Sequence, residues 1–234
     1  MKTVIDKASS RGHSQYNWLN SYHTFSFDNY YNPARMNFGA LRVLNDDWIA
    51  SGEGFETHPH KNMEIVTITL KGHLKHGDSK KNEQVITVGD IQVMSAGTGI
   101  FHSEKNNSVS EPVELLQIWI MPKQKNTKPL YQDFNINALK KKNELALIIS
   151  PDGSTDAKLL QDAWFSIGEI EAGNTVNYKL HQPNNGVYAF VIEGKIQLDN
   201  ILLSRRDGVG ISETDTIEVQ TLEETHLLFI EVPM

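Results

Sequence analysis

Short extended runs cut by tight turns fill this sequence, and they restrict the fold more than any other feature. A first series occupies residues 64–70, 84–88, 90–94 and 114–121. A second occupies residues 144–149, 164–170, 176–180, 187–192, 195–198 and 226–232. Their length, β-branched content and spacing are those of strands. The turns between them are explicit: Lys71-Gly72, Gly77-Asp78, Gly89-Asp90, Glu193-Gly194 and Asp207-Gly208. Glycine supplies the positive φ such turns need, and aspartate bonds to the backbone that follows it. Helical patterning is weak and confined to two candidates, residues 129–142 and 155–162. The chain therefore reads as all-β, and strands spaced this way build sandwiches, β-barrels and jelly rolls. The two series repeat each other weakly, since Val66-Thr67-Ile68-Thr69-Leu70-Lys71-Gly72 can be laid on Ala189-Phe190-Val191-Ile192-Glu193-Gly194. A duplicated barrel is expected, with halves 1–125 and 126–234 and a polar, lysine-rich connector near 122–143. By itself a length of 234 residues, at roughly 150 residues per domain, suggests one large domain or two small ones.

Composition narrows the chemistry. With no cysteine and nine histidines, thiol catalysis, disulfide scaffolds and cysteine-held zinc or iron–sulfur centres are excluded, so any metal must be held by His and carboxylates. The 22 basic and 29 acidic residues give a net charge of -7, which disfavours a nucleic-acid partner because nothing is left over to neutralise phosphates. No apolar run approaches the ~20 residues of a membrane span. The opening residues become charged too early for a secretory signal, and a cytoplasmic protein is expected.

Two short pairs carry the chemical signal: His58-Pro59-His60 and His102-Ser103-Glu104. Residues two apart on an extended chain point to the same face, so each pair aims two donors at one place. Pro59 keeps its segment extended by disfavouring helix at the residue before it. If the two strands meet inside a barrel, three imidazoles and one carboxylate converge. Such a set suits one divalent transition metal and leaves about two positions of an octahedral shell open for substrate or O₂.

The wording of the sequence around these pairs resembles a known family. Gly52, His58-Pro59-His60, Glu64 and Gly72 resemble the first cupin motif, and Gly89 through Gly97-Thr98-Gly99 to His102 and Asn106 resemble the second. The closing glycine, Gly72, comes one residue late, and Gly97 stands where cupins usually have proline. Those departures, with His23-Thr24-Phe25-Ser26-Phe27, Phe38-Gly39-Ala40-Leu41-Arg42-Val43 and Ala96-Gly97-Thr98-Gly99-Ile100-Phe101-His102-Ser103-Glu104, resemble the pirin family. The match is dense over residues 20–106, and the chain's length is similar to that of the bacterial, quercetinase-like members.

The resemblance implies two tandem cupin barrels with metal in the first only, held by His58, His60, His102 and Glu104. Glu64 occupies the acidic ligand position of ordinary cupins, but the family pattern prefers Glu104. That leaves Glu64 on the outer side of its strand or orienting a ligand histidine. Aligning Gly194 with Gly72 puts Leu180 and Gln182 where His58 and His60 stand, so the second barrel lacks the ligand set. Fe(II) is the favoured ion, with Mn, Co, Ni, Cu or Zn also compatible with the donors.

The implied activity is that of a quercetin 2,3-dioxygenase, with a flavonol-like aromatic substrate, O₂ as co-substrate and Glu104 as catalytic base toward the phenolic proton. Two other functions accommodate the same site: a regulatory protein acting through protein partners, and a non-oxidative cupin metalloenzyme. A monomer is the simplest expectation. His13 and His23 are assigned to packing in an aromatic N-terminal stretch or to the pocket mouth. His73 and His76, three apart, face opposite sides of their strand, and His76 is assigned to the adjacent turn. His226 is assigned no special role.

Overall fold

A computed structural model describes all 234 residues. Extended backbone dominates it, and the only helical turns are two three-residue 3₁₀ segments, Ala8–Ser10 and Asn137–Leu139. No helix is long and apolar enough to cross a membrane.

Four antiparallel sheets form two barrels. In the first barrel a seven-stranded sheet runs, edge to edge, Leu130–Asn135, Asp90–Ser95, Glu64–Lys71, Val113–Ile120, Leu41–Ile49, Leu19–His23 and Gly12–Gln15. Facing it is a four-stranded sheet, Gly54–His60, Ile100–Asn106, His73–Asp78 and Glu83–Thr87. Leu19, Ile49, Val113 and Leu115 of the larger sheet pack on Leu74 and Ile86 of the smaller one and plug one end of the barrel. The second barrel pairs a six-stranded sheet with the four strands Thr175–Lys179, Thr216–Thr221, Lys195–Leu198 and Ile201–Ser204, which meet over thirteen buried side chains.

The two large sheets pack on each other. Alternation along a strand sends odd and even residues to opposite faces. On Glu64–Lys71, Val66 and Ile68 point toward the second barrel while Ile65 points into its own. Val66, Ile68, Leu116 and Ile118 meet Phe165, Ile167, Phe190, Leu228 and Ile230 in one cluster of 26 buried residues shared by both halves. At about 1.5–3 kcal/mol for each fully buried large apolar side chain, this shared core is a principal source of stability.

Strand pairing crosses the expected join at both ends. Lys2–Asp6, at the chain's start, pairs with Gly208–Ser212 of the second barrel, and Leu130–Asn135, beyond residue 125, pairs with Asp90–Ser95 of the first. Each added strand covers an edge whose backbone donors and acceptors would otherwise be open. Two expectations are corrected here. Residues 129–142 are not a helix, because the open edge at Asp90–Ser95 rewards extended pairing more than a weak helical pattern rewards coiling. Residues 155–162 are not a helix either. Ala157 and Leu159 are drawn into the shared core, and the Gln161 amide donates to the Met121 carbonyl, so tertiary contacts set their path.

Candidate metal centre

The strands Gly54–His60 and Ile100–Asn106 are neighbours in the small sheet, and their register puts His102 directly opposite His58. With His60 two residues on, three imidazoles share one inward face. Their ring centroids form a triangle with sides of 4.4, 4.7 and 4.8 Å. Each ring offers a nitrogen within 4.8 Å of the others.

The register slips beyond this point. Glu104 stands opposite Phe55, so Glu56 and Thr57 together face Ser103 in a β-bulge. The bulge sets the Glu56 carbonyl to accept a 2.8 Å hydrogen bond from His58 Nδ1–H. That bond fixes the tautomer and leaves His58 Nε2 as a free donor to a cation. Close approach of the two strands depends on Gly54, where a Cβ would lie 2.3 Å from the Glu104 carbonyl oxygen and 2.5 Å from Lys105 Cα. Both are backbone atoms that cannot swing aside. Gly54→Val is expected to destabilise the fold by about 1–3 kcal/mol. An unchanged melting temperature would show that this close contact is dispensable.

His102 is 1% exposed and neither ring nitrogen has a hydrogen-bond partner. A buried polar atom left unpaired costs about 1–3 kcal/mol, and a cation between the rings removes that cost. Burial pushes His60 and His102 down to about 4, so both are neutral imidazoles near pH 7, the form that ligates a transition metal. Glu104, also buried, accepts from Gln117 Nε2 at 2.8 Å, and from Thr67 Oγ1 and Gln92 Nε2 at 3.3 Å each. Burial raises the Glu104 carboxyl, but the charge that His102 and His76 carry when protonated at low pH, with the Gln117 bond, outweighs it and holds the group below the usual carboxylate range. The donor set fits a divalent transition ion.

Not every anticipated grouping forms as expected. His58, His60 and His102 form one group of potential ligands, and Glu104 groups with His102 and His76 in an adjoining one. Assignment of His76 to the turn alone underrates it. The register sets His76 opposite Glu104, its ring stacks on Tyr131 at 4.6 Å, and it is fully buried. Only pairing across strands reveals this, since His76 has no same-face histidine on its own strand. Glu64 faces away from the imidazoles, toward the second barrel, where it accepts from Leu160 N–H at 2.9 Å and Ser95 Oγ at 3.1 Å. His13 stacks on Tyr22 near the surface, and His23 is buried and lines the cavity described next. In the second barrel the conspicuous charge is Glu231, fully buried and holding Tyr178 Oη, the His181 and Gln182 amides and Asn185 Nδ2. This knot ties the end of the last strand to the loop before residue 185.

The imidazoles open onto a cavity of about 820 Å³, within the size range of small-molecule sites. Its lining includes residues of the edge strands of both sheets, Gly54–His60 and Gly12–Gln15. Trp18, Phe27, Phe55 and Trp119 supply aromatic walls, and Ser21, His23, Asn45 and Asp47 supply a polar one.

Asp47 was not among the residues singled out by the sequence. It lies on the inner face of Leu41–Ile49, accepts a short hydrogen bond from Ser21 Oγ and is pushed up to about 7 by burial. Unfolded, the same carboxyl ionises near 3.8. Between those values the unfolded state binds fewer protons, so this group's contribution to stability falls as pH rises. His60, His102 and His226, pushed down by burial, tilt the profile the other way, so the informative quantity is the difference between variant and wild type. Asp47→Asn is expected to gain a few kcal/mol over wild type between pH 5 and pH 8, measured from urea midpoints. An equal difference at both pH values would overturn the assignment.

Comparison with known proteins covers both halves. The family model described as Pirin matches residues 5–120, and that of the quercetinase C-terminal cupin domain matches residues 147–232. A protein of Escherichia coli (strain K12) named quercetin 2,3-dioxygenase is 39% identical over 236 residues, with 98% of each chain covered. A pirin-like protein of Caulobacter vibrioides is 35% identical over 222 residues, covering 94% of this chain and 95% of its own. The crystal structure of the bacterial pirin YhhW from Escherichia coli in complex with nickel(II) superposes with a TM-score of 0.93 at 37% identity, with 99% of each chain covered.

Proposed function

The chain belongs to the pirin family, and from that premise we propose that it is a metal-dependent dioxygenase of the quercetin 2,3-dioxygenase type. The reaction opens a flavonol with O₂ and releases carbon monoxide. One observation carries this reading: three convergent imidazoles form part of the wall of an aromatic-lined cavity large enough for a multi-ring substrate.

His58, His60 and His102 are the residues we assign to hold the metal, with Glu104 adjoining them through His102. When bound, a divalent transition ion supplies a Lewis-acidic, redox-active centre for a phenolic oxygen and for O₂. The remaining work falls to the chain. His58 is locked in the tautomer that presents Nε2, and burial keeps His60 and His102 neutral and ready to ligate. Glu104, held as a carboxylate by three side-chain donors, is assigned to accept the proton of the substrate's 3-hydroxyl. Trp18, Phe27, Phe55 and Trp119 stack against a planar ligand and exclude water from around the reacting groups.

Aerobic incubation of quercetin with protein loaded separately with Fe(II), Mn(II), Co(II), Ni(II), Cu(II) or Zn(II) tests this directly. Loss of the flavonol absorbance with matching O₂ uptake and CO release is expected with at least one redox-capable ion. Absence of all three with every ion would overturn the reading. Nickel is included because the similar E. coli pirin was solved with it. Fe(II) remains the ion we favour.

A further inference from the structure

The wall of the cavity that faces the imidazoles is polar, and no step above uses it. It is built from two paired strands of the large sheet, Leu19–His23 and Leu41–Ile49. Their register sets Ser21 beside Asp47 and His23 beside Asn45. All four are at most 3% exposed, and all four line the cavity. They form a connected strip. Ser21 Oγ donates to Asp47 Oδ1 and lies 3.4 Å from His23 Nδ1, while His23 Nε2 is 3.0 Å from Ser14 Oγ.

Packing economy does not explain this strip. The next inward positions along the same two strands, Leu19 and Ile49, are apolar and belong to the plug that closes the barrel. A carboxyl, a hydroxyl, an imidazole and an amide set above an apolar plug and against a cavity are what a ligand with its own hydrogen-bonding groups requires. Sheets stacked face to face stand about 10 Å apart. That spacing, measured between backbones, sets the imidazoles of one sheet across the cavity from the polar strip of the other, so a planar polyphenol that chelates through one end meets the strip with another. The aromatic side chains between the two polar walls match the flat rings between those ends.

We propose that Asp47, with Ser21 and His23 beside it, binds a hydroxyl on the pendant phenyl ring of a flavonol-like ligand and makes this pocket selective for aromatic ligands polar at both ends. The proposal rests on the flavonol reading for its choice of probe, but not on turnover. Asp47 Oδ1 is engaged by Ser21, which leaves Oδ2 to accept from the ligand.

The test is equilibrium binding without O₂, followed by quenching of the protein's tryptophan fluorescence, since Trp18 and Trp119 line the cavity. Metal-loaded protein is titrated at pH 8 with quercetin and with galangin, which keeps the chelating 3-hydroxyl but lacks both hydroxyls of the pendant phenyl ring. Wild type is expected to prefer quercetin by about tenfold, the worth of one hydrogen bond to a charged group. In Asp47→Leu the ratio is expected to fall to near one, through loss on quercetin rather than gain on galangin. In Asp47→Asn, which keeps an acceptor but loses the charge, an intermediate ratio is expected. The Asn variant carries the test alone if the Leu variant does not fold.

A wild-type ratio near one, or a wild-type ratio retained in a folded Asp47 variant, would overturn the proposal. Selectivity without flavonol cleavage would leave this site standing and remove the dioxygenase reading. Cleavage without selectivity would do the reverse.

Discussion

His102→Ala is expected to reduce bound metal from about one ion per chain to less than a tenth of that, measured by elemental analysis after dialysis against a weak chelator. Losing a residue that merely orients a ligand typically weakens a metal site by 10–100-fold. His102 is placed more centrally than that, because it belongs to both the His58–His60 group and the Glu104–His76 group. Its removal therefore takes a donor from either arrangement, and a loss of at least about 100-fold is expected, with flavonol cleavage lost in parallel. The folded state should survive. The side chain is buried with both nitrogens unpaired, so the alanine removes an unsatisfied polar group as well as packing. Near-wild-type melting with no metal is the expected combination. Full metal occupancy in the variant would show that the ion is held elsewhere.

The second large effect concerns the seam between the barrels. Phe165 is fully buried and packs in the cluster that joins Val66, Ile118 and Leu116 of one barrel to Phe190, Leu228 and Ile230 of the other. Phe165→Ala is expected to cost about 3–5 kcal/mol, the transfer of the ring plus the cavity it leaves. The consequence should extend beyond the second half. Because the cluster is shared, and because Lys2–Asp6 completes the second barrel while Leu130–Asn135 completes the first, neither half has a closed set of strands and a covered face by itself. Urea unfolding should therefore remain one transition, coincident by far-UV circular dichroism and tryptophan fluorescence, with its midpoint lowered. Two separated transitions would refute the picture of one cooperative unit.

Local pattern accounts for much of what is legible in the chain. Period-two alternation and Gly/Asp turns act over a few residues, and they mark the strands at 64–70, 90–94 and 114–121, but not Leu19–His23 and Leu41–Ile49, which carry the cavity's polar wall. His58-Pro59-His60 is legible for the same reason, since two residues on a strand share a face whatever lies opposite. The helices expected over 129–142 and 155–162 failed where a distant partner decided the outcome. In the first it was an open sheet edge at Asp90–Ser95, and in the second the shared core and the Met121 carbonyl. Asp47 carries no sequence signal because a lone aspartate on a strand gains meaning only when it is buried against Ser21 and a cavity.

By itself, then, the sequence determined an all-β chain with a repeated strand pattern and two donor pairs, His58 with His60 and His102 with Glu104, each able to aim both donors to one face, because these follow from chain stereochemistry over a few residues. Tertiary structure decided which face of each strand is inside, and so turned Glu64 toward the second barrel and Glu104 into the first. It also decided which strands lie opposite one another, setting His102 on His58 and Glu104 beside His76. Register and facing are settled by the burial of whole sheets against each other, an energy summed over dozens of side chains that no local stretch of sequence contains.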